Sequence, residues 1–195
     1  QAGKLIVGTS ADYPPFETYN AEYKIDGFDI ALINEVAKQL GITAELNDFA
    51  FDGLGTAVQI GQIDAAISAL SVTPERQAVV DFSNIYYSGT DALLVPADSN
   101  LSAQAVDELG KVRLGVQQNS VYEKYAQTRL VDTGVMPRRN LEVYQDIEKA
   151  VNDLKASRIE GVWLEKKPAE EFAKDGSLKI AAQGLNQQLY GIAVK

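Results

Sequence analysis

Ile63-Asp64-Ala65-Ala66-Ile67-Ser68-Ala69-Leu70-Ser71-Val72-Thr73-Pro74-Glu75-Arg76-Gln77 ends a strand, turns, and opens a helix with a cation in its first turn. The apolar residues Ile63, Ala65, Ala66 and Ile67 read as a buried strand. Thr73 is a good N-cap, and Pro74 falls at the first helical position, where a missing N–H costs nothing. Arg76 then lies near the third helical position, where a positive charge opposes the helix macrodipole at a cost of roughly a few tenths of a kcal/mol unless an anion is close. Free backbone N–H groups, the hydroxyls of Ser68 and Ser71, and a planar guanidinium converge there, which suits a carboxylate or a phosphate. A surface ion pair of Arg76 with Glu75 or Asp81 fits the motif as well. If the arginine serves a ligand, it has no structural partner to lose in the empty protein, and its removal should leave the melting temperature nearly unchanged.

Working outward, Leu5-Ile6-Val7-Gly8 reads as a short buried strand, followed by a loop from Thr9 to Phe16 that Pro14 and Pro15 stiffen. Loops at strand C-termini of open sheets carry sites. From Phe28 the pattern turns helical, with Phe28, Leu32, Ile33, Val36, Ala37 and Leu40 on one face, Asp29 as cap and Gly41 as stop. A strand from Thr43 to Phe49 and a helix from about Asp52 to Ile60 lead back to Ile63. This β-α-β-α-β order predicts a mostly parallel sheet covered by helices.

Downstream, Tyr86 to Val95 is a long extended run, and Lys111-Val112-Arg113-Leu114-Gly115-Val116-Gln117 begins a new unit that echoes Lys4 to Ser10. Arg158-Ile159-Glu160-Gly161-Val162-Trp163 likewise echoes Gln62 to Ile67. Helical patterns fill Ser120 to Ala126, Asp146 to Ala156 and Pro168 to Lys174, and Leu178 to Ala182 and Tyr190 to Val194 are strand-like. Two similar α/β units predict two lobes.

The bulk composition narrows the function. A chain of 195 residues with 46% apolar content can bury a substantial core. A net charge of −9 with no basic run argues against nucleic acid and against an anionic membrane surface. The absence of cysteine excludes disulfides and thiolate chemistry, and the absence of histidine removes the usual general base and the commonest metal ligand. No metal and no cofactor are expected. No run is long and apolar enough to span a bilayer and no basic-then-apolar leader is present, so direct membrane insertion is not expected and an exported chain would already be processed.

The segments Gly8-Thr9-Ser10-Ala11-Asp12-Tyr13-Pro14-Pro15-Phe16-Glu17, Gly27-Phe28-Asp29-Ile30, Gly61 to Ser68, and Thr73-Pro74-Glu75-Arg76 through Asp81-Phe82-Ser83 are individually loose, but specific in this order and spacing. In them the chain resembles the bacterial extracellular solute-binding proteins of family 3, the polar amino-acid-binding components of ABC importers, over essentially its whole length. The resemblance implies a two-lobe periplasmic-binding-protein-like clamshell of type II, each lobe a mostly parallel sheet flanked by helices. Lobe 1 would comprise residues 1–91 and 189–195 and lobe 2 residues 92–188, joined by hinge strands near 90–94 and 187–191. It further implies a periplasmic or extracellular location, permease subunits as partners, and a free L-amino acid held between the lobes, whose closure ligand binding would favour.

The resemblance also assigns roles. Arg76 and the hydroxyl and amide of Ser71 would hold the ligand α-carboxylate, Ala69 would accept from the α-ammonium, and Ser68 and Leu70 belong to the same turn. Tyr13 and Phe51 would sandwich the ligand side chain, with Ser10 at its far end. From the second lobe, Gln117, Ser120 and Val121 would complete the carboxylate site and Glu165 would bind the ammonium. The aromatic pair suits a long or cationic side chain, arginine first, by stacking and cation-π contact. Ser10 supplies no charge, which keeps glutamine open. On the residues alone, Tyr13 and Phe51 also read as core, and Glu165 as a solvated acid paired with Lys166 or Lys167. The loop residues Asn119-Ser120 and the Lys166-Lys167 pair depart from the family pattern and put the alignment of Glu165 in question.

Two other function classes use this fold: a cyclohexadienyl-dehydratase-like enzyme, which would need a placed general acid, and the ligand-sensing domain of a receptor. Relatives continue beyond the position of Lys195 with a helical tail packed on the first lobe. Without it, Tyr190 to Val194 is expected to present an exposed apolar strand that invites self-association.

Overall fold

The computed structural model describes residues 3–195. They form two compact α/β units, one of residues 3–88 and 188–195, the other of residues 89–187. The boundaries expected from the sequence lie after 91 and before 189, against 88 and 188 here. Both crossings fall inside continuous strands, where neither composition nor turn residues mark a boundary.

In the first unit the strands are β1 (Lys4–Thr9), β5 (Thr43–Asp48), β6 (Ala65–Ala66), β7 (Asp81–Phe82) and β13 (Ala193–Val194), in the order β5-β1-β6-β13-β7. β1 pairs parallel with β5 and with β6, whereas β13 runs antiparallel to both β6 and β7. Helix α1 (Phe28–Gln39) covers one face, where Ile33 packs with Val7, Ala65 and Ile67. Helix α2 (Leu54–Gln59) covers the other, where Leu54, Ala57 and Val58 pack with Ile63 and Ala66. Full burial of a side chain such as Leu54 contributes about 1.5–3 kcal/mol. Helix α3 (Pro74–Gln77) is a single turn.

The stretch from Thr9 to Phe16, read as a stiff loop, instead contains the short strand β2 (Asp12–Tyr13), which forms a small antiparallel sheet with β3 (Glu17–Tyr19) and β4 (Ile25–Asp26) after it. Its strands are too short to show an alternating pattern. Asp29 is not the cap of α1: Gly27 holds that position, and the carbonyls of Pro15 and Phe16 accept from the amides of Phe28 and Asp29, each at 3.0 Å. Gly27 has φ 134°, and a Cβ there would lie 2.3 Å from the Phe16 carbonyl oxygen, so only glycine lets the backbones approach this closely. The Asp29 side chain is thereby released to point into the core.

The expectation of an exposed C-terminal strand is not met. Ala193 is fully buried because β13 occupies an interior position in the sheet between β6 and β7, and Tyr190, at the end of the preceding long strand, is 2% exposed with its ring packed against Phe16 and Tyr87.

The second unit repeats this plan with β8 (Tyr87–Pro96), β9 (Leu114–Gln117), β10 (Leu141–Tyr144), β11 (Gly161–Glu165) and β12 (Leu178–Tyr190), in the order β10-β9-β11-β8-β12. β9 pairs parallel with β10 and β11, and β8 runs antiparallel to β11. Its helices are α4 (Val121–Ala126), α5 (Ile147–Lys155) and α6 (Lys166–Phe172). The two strand-like stretches at the end of the sequence are one long strand, β12, followed by β13. Trp163 lies in the core with Leu93, Leu114, Val116 and Tyr122, and its indole N–H donates to the buried carboxylate of Asp91.

Candidate functional site

In each unit the predicted site residues fall at the carboxyl ends of the parallel strands, the edge at which open α/β sheets bind ligands. Ser10 follows β1 and Ser68 follows β6; Gln117 ends β9 and Glu165 ends β11.

In the first unit Thr73 caps α3, its hydroxyl accepting from the amide of Arg76 at 3.3 Å. Arg76 reaches back along the turn, so that its Nη1 donates to the carbonyl of Ser71 at 2.8 Å and its guanidinium lies over the Phe51 ring, 5.6 Å from the centroid. Loss of hydration lowers its pKa to about 10, against the opposing effects of Glu75 and Tyr190, and it stays cationic at neutral pH. The expectation that Arg76 has no structural partner is therefore corrected. With α3 only one turn long, the macrodipole contributes less to its placement than the Ser71 carbonyl and the Phe51 face.

The preceding turn is held from below. Ala69 has φ +44°, a left-handed conformation that is strained for a residue with a Cβ. Its amide donates to Asp29 Oδ2 at 2.7 Å, and the Tyr86 hydroxyl donates to the same oxygen at 2.9 Å. The Ser68 hydroxyl accepts from the amide of Ser10 at 3.0 Å and donates to Glu17 Oε1 at 3.1 Å. The single proton of that hydroxyl is committed to Glu17, so donors for a ligand anion come from other groups. Leu70 turns its side chain into the core beside Leu54 and Val80, while its carbonyl accepts from Gly191 at 3.1 Å.

Ser10 donates its hydroxyl to Asp12 at 2.9 Å, which brings a carboxylate beside a position that carries no charge itself. Tyr13, 8% exposed, stacks on Phe16 with centroids 6.4 Å apart. Phe51, 9% exposed, starts the 3-10 turn that leads into α2.

In the second unit Ser120 caps α4, accepting from the amide of Glu123 and donating its hydroxyl to the carbonyl of Gln117 at 2.6 Å. The intervening Asn119 has φ +59°. Val121 is the first helical residue and packs against the core of this unit. Glu165 is 1% exposed and caps α6 through the amide of Lys167 at 2.6 Å, while the ammonium groups of Lys166 and Lys167 reach Glu170. The reading of Glu165 as a solvated acid is thereby excluded. It also faces the buried Asp91 across the β11–β8 pairing.

Glu17 and Asp29 are the residues whose importance the sequence understated. The one available signal was their setting, since each is an acid that directly follows a phenylalanine, Phe16 and Phe28. Among the described residues no cluster of three or more acidic side chains could hold a metal, and no helix is long and apolar enough to cross a membrane.

Known proteins share both sequence and fold with this chain. It is 34% identical over 171 residues to the arginine-binding extracellular protein ArtP of Bacillus subtilis (strain 168), covering 88% of this chain and 64% of that protein. The structure of an ancestral arginine-binding protein bound to arginine superposes with a TM-score of 0.91 at 33% identity, covering 99% of this chain and 84% of the other. An ancestral arginine-binding protein bound to glutamine gives a TM-score of 0.90 at 32% identity, covering 100% of this chain and 85% of the other. A family model matches residues 5–166, and the chain belongs to the bacterial extracellular solute-binding proteins, family 3.

Proposed function

We propose that this chain captures a free L-amino acid, arginine in preference to others, outside the cytoplasm and delivers it to the permease subunits of an ABC importer. The observation that carries this reading is the placement of Arg76, whose guanidinium is fixed by the Ser71 carbonyl and the Phe51 face at the ligand-binding edge of its sheet. A planar cation so oriented suits a bidentate carboxylate, the anionic group common to all free amino acids. Ser71 would share that carboxylate and Ala69 would accept from the α-ammonium.

Arginine is favoured by charge. Asp12 lies beside Ser10, so an acid is available where the ligand's side chain would end, and the net charge of −9 draws cations. Tyr13 and Phe51 would flank the aliphatic and guanidinium parts. We propose that Gln117, Ser120, Val121 and Glu165 of the second unit contact the same ligand, with Glu165 on the ammonium. Glutamine is the second reading, supported by the glutamine-bound relative and by the uncharged Ser10. No covalent step is proposed, and the chain acts as a binding component, not an enzyme.

Isothermal titration with L-arginine, L-lysine, L-histidine and L-glutamine tests the reading. Tightest binding of arginine is expected. Heat from glutamine alone would move the assignment to the second reading, and no heat from any free amino acid, together with turnover of prephenate or arogenate, would overturn both.

A further inference from the structure

Beneath the turn that precedes Arg76 lie two carboxyl groups with no exposure to solvent, Glu17 from β3 and Asp29 from α1. Asp29 raises the proton affinity of Glu17 and Glu17 lowers that of Asp29, so the two lie near enough for one to donate to the other once protonated. One oxygen of each already has donors: Glu17 Oε1 accepts from the Ser68 hydroxyl, and Asp29 Oδ2 accepts from the Ala69 amide and the Tyr86 hydroxyl. The other two, Glu17 Oε2 and Asp29 Oδ1, are buried and receive no hydrogen bond from any other group among the described residues. Two carboxylates in contact would repel, and an unsatisfied buried oxygen is costly. A single proton on Glu17, donated to Asp29, removes both problems at once.

We propose that Glu17 and Asp29 share one proton, and that this protonated pair is the brace that positions the Ser68–Ala69 turn for ligand binding. The ligand-binding role of that turn rests on the reading given above, whereas the brace itself does not. Glu17 and Asp29 are positioning residues: they act on ligand only through Ser68 and Ala69. The brace has to hold a strained backbone, because Ala69 sits at φ +44° with its amide on Asp29. The charged and titratable groups acting on the pair are Asp12 on β2 and Tyr86 before β8, and neither offers a positive charge to offset a second carboxylate. Burial first, and then Asp29, raise the pKa of Glu17 well above the ordinary value of 4.5.

Because the folded state holds this proton more tightly than the unfolded chain, its contribution to stability is complete below the unfolded value. It is lost as pH rises through the folded one. Glu17→Gln mimics the protonated state permanently, since the amide donates to Asp29 and its carbonyl still accepts from Ser68.

The test uses the ligand-free chain and this variant. In the wild type, the Glu17 carboxyl carbon observed by NMR is expected at the neutral-acid position at neutral pH and to titrate only as the pH is raised well above the ordinary carboxylate range. Over that range, the Ala69 amide should lose hydrogen-exchange protection and the denaturation midpoint should fall, relative to Glu17→Gln under the same conditions. An ionised Glu17 resonance at neutral pH, or identical pH profiles for the two proteins, overturns the proposal. With L-arginine as probe, wild-type affinity should fall by up to about tenfold per pH unit above the folded pKa while that of Glu17→Gln stays level by comparison. If the ligand-free results hold and neither protein binds arginine at any pH, the brace stands and the arginine reading fails.

Discussion

The Cδ1 of Ile63 occupies the space that a side chain on Gly8 would need: a Cβ built on Gly8 would stand 2.6 Å from it. The same relationship recurs in the second unit, where a Cβ on Gly115 would stand 2.7 Å from the Cδ1 of Ile159. The residue after each isoleucine repeats as well. Asp64 accepts from the amide of Ile6 and Glu160 from the amide of Arg113, each at 2.8 Å. The weak sequence echo between the two units is thus preserved in packing and in hydrogen bonds that anchor the third parallel strand to the first.

Gly8→Ala is expected to destabilise the protein by about 1–3 kcal/mol through overpacking. Ile63→Val removes the colliding methyl and by itself should cost about 0.5–1.5 kcal/mol. The double variant should cost less than the sum of the two, although Leu54 and Phe49, at 3.0 and 3.3 Å from the same built Cβ, leave the rescue partial. Additive urea-denaturation midpoints would show that the two sites do not compete for space.

Asp29→Ala should destabilise the ligand-free chain by about 1–3 kcal/mol, because it leaves the buried amide of Ala69 without an acceptor. Asp29→Asn keeps an oxygen for that amide and gives Glu17 a donor, so its cost should be smaller. Chemical denaturation of the two variants at one pH decides it; equal losses would mean that the side chain's volume, not its acceptor, supports the turn.

What could be read from the sequence follows the strength of local signals. Thr73-Pro74 places the cap of α3 and Arg76 at its third position because cap chemistry is local. The order of β1, β5 and β6 follows from apolar runs separated by helical periodicity. Asp29 was misplaced because an acid in a first turn looks the same whether it caps the helix or turns inward to meet a distant amide. Ala69 lies 40 positions away in the chain, and no spacing rule links them. The burial of Ala193 and Tyr190 has a similar cause, since a strand inserted between β6 and β7 and a ring packed on the distant Phe16 are long-range events that a short local pattern cannot announce. In the candidate site, residue types were legible and commitments were not: the Ser68 proton belongs to Glu17, and Ser10 leans on Asp12.

Glu165→Gln tests the proposed ammonium contact. The glutamine retains an oxygen for the Lys167 amide, so the cap of α6 should survive and the melting temperature should change little. Affinity for L-arginine should fall much more than affinity for N-acetyl-L-arginine, which carries no ammonium charge. Equal loss for both ligands, measured by titration calorimetry, would place the ammonium partner elsewhere.

Arg76→Ala gives the most demanding test, because the residue has both a structural and a proposed binding role. Truncating one partner of a buried charge pair costs about 2–5 kcal/mol, or roughly 30-fold to several thousand-fold in affinity. Arginine binding should therefore be nearly abolished. Arg76→Lys keeps the charge but loses the planar fork, so it should recover only part of the affinity. In the ligand-free protein, the lost contacts with the Ser71 carbonyl and the Phe51 face should cost about 1 kcal/mol, a fall in melting temperature of roughly 2–4 °C. The two effects separate because Phe51→Leu removes the ring face and leaves the carboxylate fork intact. That variant should reproduce part of the stability loss with a far smaller loss of affinity. If Arg76→Ala melts lower yet binds arginine with unchanged affinity, the guanidinium serves the turn alone and the carboxylate is held by other groups.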